Sequence, residues 1–175
     1  MTNNAMGACV LSSEQISEAV KRVADQLNGL FERAVVIVVV PGGIFFSADL
    51  LRQLNFDVLM ETISCPHTPG ERNNASPIMF HPNVPLAGED VILVDDAIES
   101  GGTMKRLVAH IRSHHAVKSI SVATLFVKPG RVAVDAQEYY GLALQSDELL
   151  VGYGLPWKNK SRNLPYIARL ENIAE

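Results

Sequence analysis

The chain has 175 residues, of which 47% are hydrophobic and 19% charged, and its net charge is −4. These values predict one globular domain, exclude an intrinsically disordered chain and argue against binding along a nucleic-acid backbone. The chain contains neither an apolar run of ~20 residues, which a membrane span requires, nor a signal-peptide pattern, and two cysteines do not form a disulfide framework. We therefore expect a cytoplasmic protein without a membrane partner.

The first predicted elements are a tail and an amphipathic helix. Residues 1–10 show no pattern and are predicted to form a flexible tail, which leaves residues 11–175 as the domain. Ser12 and Gln15 have the spacing of a capping box, and an apolar helical face follows them. This helix is expected to pack on a sheet through Ile16, Val20, Val23 and Leu27.

A unit of strand, loop and helix comes next. Residues 34–40 are the most apolar stretch and predict a central parallel strand, which Pro41-Gly42-Gly43 interrupts. A plain turn and a phosphate-binding loop at a helix N-terminus explain this segment equally well. The helix is predicted to present one apolar face, made of Ile44, Phe45, Ala48, Leu51 and Leu54.

A long polar segment separates the next two strands. Residues 58–63 predict a strand, and residues 65–76 are rich in Pro, Gly, Asn and His without any periodicity. Loops of this length are usually lids or disordered segments. We therefore expect a flexible lid, closed by a strand over residues 77–80, with His67 and His81 as surface residues.

The clearest functional signal follows an apolar run, residues 91–94, which predicts a strand buried on both faces. Asp95 and Asp96 are expected to end this strand. A polar loop with two glycines, residues 99–102, then leads into a helix that is predicted to start near Thr103.

This order of residues suits a phosphorylated ribose. The backbone amides of the loop, the helix N-terminus and the hydroxyls of Ser100 and Thr103 can bind a phosphate monoester. The acids before the loop suit sugar hydroxyls, or a divalent metal shared with a second phosphate group. A solvated acid cluster beside a plain turn is the weaker alternative, and the stretch matches neither a P-loop nor a dinucleotide-binding fingerprint.

The C-terminal third adds two candidate ligand contacts. Residues 119–127 predict a strand, and Lys128 lies at its carboxyl end, where α/β folds bind ligands. A short strand over residues 148–153 precedes a basic cluster, which either binds an anion or is exposed surface. That cluster consists of Lys158, Lys160 and Arg162. The alternation of strands and helices predicts an α/β fold with a mainly parallel twisted sheet flanked by helices.

Residues 91–103 resemble the ribose-phosphate signature of the type I phosphoribosyltransferases, in which an apolar strand precedes two acids, two apolar residues, a third acid and Ser/Thr-Gly-x-Thr. Residues 39–50 are similar to the pyrophosphate loop of the hypoxanthine–guanine phosphoribosyltransferase family. Residues 11–16 resemble its opening helix, and residues 151–155 and 162–167 resemble its C-terminal hood. The chain is thus identified as a member of this family.

The resemblance implies a type I phosphoribosyltransferase fold with a small hood, formed by the C-terminal residues from about 145 to 175 together with N-terminal residues. It also implies a purine salvage enzyme that transfers ribose 5-phosphate from phosphoribosyl pyrophosphate to hypoxanthine or guanine, with Mg²⁺ as cofactor. A homodimer or homotetramer is the implied assembly. In the family the peptide bond that enters the pyrophosphate loop is typically cis, so we expect a cis Val40–Pro41 bond, which proline makes less costly.

The resemblance also implies a role for each candidate residue. Glu99 takes the place of the catalytic acid near purine N7. Asp95 and Asp96 hold the ribose hydroxyls and, through substrate or water, the metal. The 5-phosphate is bound by Ser100, Gly101, Gly102 and Thr103, the pyrophosphate by Pro41, Gly42, Gly43 and Arg162, and the purine by Lys128, Leu149 and Leu150.

Several positions depart from the family pattern. Glu99 stands where the family usually has Asp, Pro41 replaces a common Lys, and Pro156 replaces an Asp that binds a second magnesium. Leu149 and Leu150 occupy the region where a Phe usually stacks on the purine. These departures leave open a non-catalytic paralogue that binds phosphoribosyl pyrophosphate or a nucleotide. A xanthine-preferring enzyme also stays open, because Gly101-Gly102 and residues 128–131 resemble the xanthine–guanine relatives.

Overall fold

The computed structural model describes residues 6–65 and 76–171. The predicted lid lies almost entirely outside these residues. Within them, no helix is both long enough and apolar enough to cross a membrane. In chain order the elements are β1 (Met6–Leu11), α1 (Ser13–Leu27), β2 (Arg33–Val40), α2 (Ile44–Leu51), β3 (Asp57–Ser64), β4 (Asp90–Ile98), α3 (Gly102–His114), β5 (Ser119–Val127), β6 (Gln137–Ala143), β7 (Leu150–Val151) and β8 (Ile167–Leu170).

The main sheet has five parallel strands in the order β3-β2-β4-β5-β6, which confirms the predicted fold class. Helices cover both faces, so its central strands are continuous β-branched and apolar runs. In β2, Val36 and Val38 share a core with α1 and α2. The alternate residues Val35 and Ile37 share the opposite core with α3. This sheet brings the carboxyl ends of β2, β4 and β5 to one edge.

A second, antiparallel sheet of three strands in the order β1-β8-β7 forms the hood. Strand β1 corrects the prediction of a loose tail for residues 6–10, because Cys9 and Leu11 pair with Ala168 and Ile167 of β8. The pattern was not visible in the sequence because Leu11 is the only fully buried residue of β1.

The helices confirm one predicted face and correct another. The capping box of α1 is present, and its predicted apolar face is buried. In α2 the predicted face is wrong: Phe46, Ser47 and Leu50 are buried, whereas Ile44 and Phe45 are exposed. This short helix is apolar on almost every side, so its sequence has no amphipathic period that could indicate the buried face.

Two predicted strands are shorter in the structure. The region predicted as a strand over residues 77–80 makes a single antiparallel bridge, in which Ser64 and Met79 exchange two backbone hydrogen bonds. The strand predicted over residues 148–153 is reduced to β7. By contrast, β4 continues past the predicted end at Asp95 and Asp96 as far as Ile98.

Candidate active site

The loop after β4 is a tight turn that ends at a left-handed glycine before α3. Gly101 caps α3 with φ +83°, a left-handed conformation that favours glycine. A Cβ atom at this position would lie 2.7 Å from the Val132 carbonyl oxygen. The Ser100 carbonyl accepts a hydrogen bond from the Val132 amide at 2.9 Å, and Ser100 Oγ accepts one from the Gly102 amide at 3.4 Å. The loop is therefore fixed against the segment that follows β5, and α3 begins at Gly102.

The loop after β2 packs beside the paired acids. The Val40–Pro41 bond is cis, as predicted. A Cβ atom on Gly42 would lie 2.9 Å from Asp96 Oδ2, so only glycine fits there without displacing the acid. The Gly43 amide donates to the Val39 carbonyl at 2.8 Å. Gly43, which is predicted to bind the pyrophosphate, therefore cannot do so through its amide, because that amide is used within the loop.

Asp95 and Asp96 lie inside β4 and form an unusual acidic pair. The Asp96 amide donates to Asp95 Oδ1 at 2.8 Å. Burial raises the pKa of Asp96 to about 6, and the charge of Glu99 adds to this rise. Burial, followed by the charge of Asp96, raises the pKa of Asp95 well above its usual value, and the Arg162 guanidinium opposes the shift at both residues. A cation or hydroxyl donors at this point would offset the accumulated negative charge.

The hood closes over these two loops through residues 152–154. A Cβ atom on Gly154 would overlap the Gly42 carbonyl oxygen and approach Asp96 Oδ2 to 2.9 Å. Arg162 donates to the Gly154 carbonyl, and the Tyr153 hydroxyl donates to Asp49 Oδ2 at 2.5 Å. Sequence reasoning missed this closure, although the Gly-Tyr-Gly spacing at residues 152–154 is a signal for close backbone approach.

Glu99 and Lys128 form an ion pair in which Lys128 Nζ lies 2.5 Å from Glu99 Oε1. The Lys128 side chain is only 3% exposed, whereas that of Glu99 is 49% exposed. Lys128 also donates to the Glu148 carbonyl at 2.8 Å. The sequence indicates separate roles for Glu99 and Lys128. In the structure the candidate catalytic acid and the candidate purine contact form an ion pair with each other.

The remaining candidate residues, Leu149, Leu150 and Lys158, differ in how far their side chains are exposed. Leu150 is 7% exposed and belongs to the core that contains α1, so it cannot present its side chain to a ligand, which corrects its predicted role. The neighbouring Leu149 is 52% exposed. Lys158 lies over the ring of Trp157, with Nζ 5.4 Å from the ring centroid, and is an exposed surface residue.

The donor set fits magnesium bound mainly through substrate. The described residues contain no group of three or more His, Cys, Asp or Glu side chains arranged to hold a metal ion. Asp95 and Asp96 supply carboxylate oxygens, and Mg²⁺ usually keeps several waters or substrate oxygens among its ligands.

The comparisons with known proteins all indicate the same family. The family described as phosphoribosyl transferase domain matches residues 10–156. A hypoxanthine-guanine phosphoribosyltransferase of Staphylococcus epidermidis is 30% identical over 93% of this chain and 92% of its own length. One from Streptococcus pneumoniae is 29% identical over 98% of this chain and 97% of its own.

Solved structures agree with these matches. The crystal structure of a hypoxanthine-guanine phosphoribosyltransferase from Bacillus anthracis superposes with a TM-score of 0.83 at 35% identity, covering 95% of this chain and 99% of that one. The similarity extends over the main sheet and the hood together. The chain belongs to the phosphoribosyltransferase family, and within it to the hypoxanthine–guanine phosphoribosyltransferases.

Proposed function

We propose that this protein transfers ribose 5-phosphate from phosphoribosyl pyrophosphate to the N9 atom of hypoxanthine or guanine, which yields the nucleoside monophosphate and pyrophosphate. The observation that carries this proposal is the meeting of three features at one sheet edge. These are the left-handed glycine loop, the Asp95–Asp96 acid pair and the Glu99–Lys128 ion pair. A nucleotide has one group for each of them: a phosphate for the loop, a ribose for the acids and a base for the ion pair.

The phosphate and ribose contacts come from β4 and the loop that follows it. The Gly101 amide and the hydroxyls of Ser100 and Thr103 hold the 5-phosphate at the N-terminus of α3, where the helix dipole favours an anion. The Gly102 amide joins them by exchanging its long, 3.4 Å hydrogen bond to Ser100 Oγ for one to the phosphate. Asp95 and Asp96, in the C-terminal half of β4 just before the loop, accept hydrogen bonds from the ribose hydroxyls.

The leaving pyrophosphate lies at the loop after β2. The Gly42 amide has no hydrogen-bond partner among the described residues and is free to donate to it, while Pro41 and Gly43 shape the loop. Arg162 adds positive charge from the hood. Mg²⁺ would be held by oxygens of the substrate and, directly or through water, by Asp95 and Asp96. When bound, it would neutralise charge that grows on the departing pyrophosphate.

The base contacts come from the ion pair. Lys128 donates to the purine O6, which favours 6-oxopurines over 6-aminopurines, and Glu99 exchanges a proton with N7. Because the two side chains touch each other, Lys128 also positions the Glu99 carboxylate. Leu149 supplies an exposed apolar surface beside the base, where a stacking ring is usual in the family.

We extend the proposal to the assembly and location of the enzyme. A homodimer or homotetramer is proposed, supported by the exposed apolar side chains of Ile44, Phe45 and Met60. A cytoplasmic location is proposed from the composition. Light scattering coupled to gel filtration measures the assembly directly, and a monomer at micromolar concentration would contradict this part.

The test of the activity is a spectrophotometric assay with phosphoribosyl pyrophosphate and each of hypoxanthine, guanine, xanthine and adenine, with and without Mg²⁺. We expect turnover with hypoxanthine and guanine that depends on Mg²⁺. Xanthine is included because a structure at 27% identity and a TM-score of 0.78 is named as a hypoxanthine-guanine-xanthine phosphoribosyltransferase. Binding of phosphoribosyl pyrophosphate without turnover of any base would favour the non-catalytic alternative.

Gly101→Ala is expected to weaken phosphate binding and to destabilise the fold. The left-handed conformation costs an alanine about 1–2 kcal/mol, and its Cβ atom also meets the Val132 carbonyl. Gly88→Ala is the matched control, because Gly88 has φ +77° but no atom within 4 Å of an added Cβ. Chemical unfolding measures the stability of both variants, and titration with phosphoribosyl pyrophosphate measures their affinity for it. If the two variants lost equal stability and Gly101→Ala kept the wild-type affinity, the role of the loop would be contradicted.

Lys128→Ala is expected to weaken purine binding by about 1–3 kcal/mol, since the purine O6 loses its donor in a buried site. Phosphoribosyl pyrophosphate binding should change little. Lys118→Ala is the matched control, because Lys118 precedes the same strand at its amino end and is exposed. Calorimetric titrations separate the two ligands, and an equal loss for both would indicate that Lys128 has only a structural role.

A further inference from the structure

A pair of histidines lies on the outer face of α3, away from the proposed active site. His110 and His114 are four positions apart, so their side chains lie on the same face of the helix. Their rings stack with centroids 4.3 Å apart and an angle of 29° between the planes. His114 is exposed and His110 partly exposed, so both rings are open to solvent.

The hydrogen bonds of His114 define which ring nitrogen is free. Its Nδ1 atom lies 2.9 Å from the His110 carbonyl oxygen, which can only accept a hydrogen bond. Nδ1 therefore carries the proton. The Ser113 hydroxyl donates to the same carbonyl at 3.0 Å and can accept from Nδ1 at 2.9 Å. Nε2 of His114 makes no hydrogen bond to the described residues, while Nδ1 is bonded to a backbone carbonyl, which is the arrangement that metal-binding histidines usually show.

The position of the pair on the helix also favours a bound cation. The C-terminal turn of α3 carries partial negative charge. The nearest guanidinium on this turn belongs to Arg112, which is already paired with Asp135. The ring of His115 packs against that of Phe80, with centroids 5.6 Å apart and an angle of 76° between the planes.

We propose that His110 and His114 chelate one divalent first-row transition-metal ion, such as Zn²⁺ or Cu²⁺, through one ring nitrogen each. Neutral imidazole is a preferred ligand of these ions, whereas Mg²⁺ prefers oxygen. The His110 ring makes no hydrogen bond to the described residues and is free to turn toward the ion. Water fills the other positions, because the described residues offer no third ligand there.

The site is separate from the proposed catalytic machinery. His110 and His114 lie eight and twelve positions after Gly102, which corresponds to about 12–18 Å along the helix axis. Metal bound there is expected to leave the Mg²⁺-dependent reaction unchanged. This separation allows the metal site to be tested independently of the enzymatic proposal.

The test uses the full chain without an affinity tag, after treatment with a chelator. Calorimetric titration with Zn²⁺ gives the affinity and stoichiometry, and electron paramagnetic resonance with Cu²⁺ counts the coordinating nitrogens. The variants are His110→Gln and His114→Gln. The control is His81→Gln, which removes an exposed histidine outside α3.

We expect one ion per chain with two nitrogen ligands in the wild type and in His81→Gln. Each α3 variant should bind at least about 10-fold more weakly, the minimum seen for the loss of a metal ligand's supporting partner. Unchanged affinity in both α3 variants, an effect of only one of them, or no binding up to millimolar metal would each overturn the proposal.

Discussion

Glu99→Gln is expected to lower the turnover number by about 10²-fold or more, the usual range for removing a general acid or base. Gln keeps an oxygen that can accept the hydrogen bond from Lys128, so the buried ammonium group retains a partner. It cannot exchange a proton with purine N7. The affinities for phosphoribosyl pyrophosphate and the purine should therefore change much less than the rate.

Two further variants separate chemistry from positioning. Glu99→Asp retains the carboxylate but withdraws it by roughly one bond length from Lys128, which lies 2.5 Å away in the wild type. It should keep substantial activity. Glu99→Ala leaves Lys128 without its carboxylate partner and should also weaken purine binding. Single-turnover kinetics measure the chemical step in each case, and an unaltered rate for Glu99→Gln would remove this residue from the mechanism.

Asp96→Asn is expected to stabilise the ligand-free protein at pH 7.5 while reducing its activity severely. The folded-state pKa of Asp96 is about 6, above the value of about 3.9 in an unfolded chain. The contribution of Asp96 to stability is therefore fully present below pH 4 and is lost as the pH rises through 6. Ionised Asp96 costs about 2–3 kcal/mol at pH 7.5, and Asn removes this cost.

Urea unfolding in the presence of a chelator, at pH 5 and pH 7.5, measures this prediction. Asp90→Asn is the matched control, because Asp90 lies on the same strand and its pKa is shifted in the opposite direction. Although burial raises its pKa, hydrogen bonds from Lys118 and Ser119 hold the pKa of Asp90 below its usual value. Asp90→Asn should thus destabilise the protein at pH 7.5. If Asp96→Asn were also destabilising at that pH, the ionised acid pair would not be destabilising the folded protein.

The local features of the site could be predicted from the sequence. The order of buried strand, acids, glycine loop and helix is contained within residues 91–103, so each element follows from adjacent residues. The cis bond at Val40–Pro41 was likewise predicted from the resemblance of one loop. In these segments the local pattern and the tertiary structure require the same conformation.

The closure of the site could not be predicted because it depends on contacts between distant segments. Tyr153 and Asp49 are 104 positions apart in the chain, and no periodicity connects them. The pairing of Glu99 with Lys128 depends on the alignment of β4 with β5. The burial of Leu150 depends on the hood sheet, whose strand β1 has too few buried residues to be recognised in the sequence.

The most direct test of the proposed function is the crystal structure of the complex with inosine or guanosine monophosphate. We predict that the 5′-phosphate lies at the N-terminus of α3, bound by the amides and hydroxyls of Ser100 to Thr103. The ribose should contact Asp95 or Asp96, and the purine O6 should lie within hydrogen-bonding distance of Lys128 Nζ. A nucleotide whose phosphate lies at the loop of residues 41–43, or beside the exposed Lys158 and Lys160, would contradict the central claim.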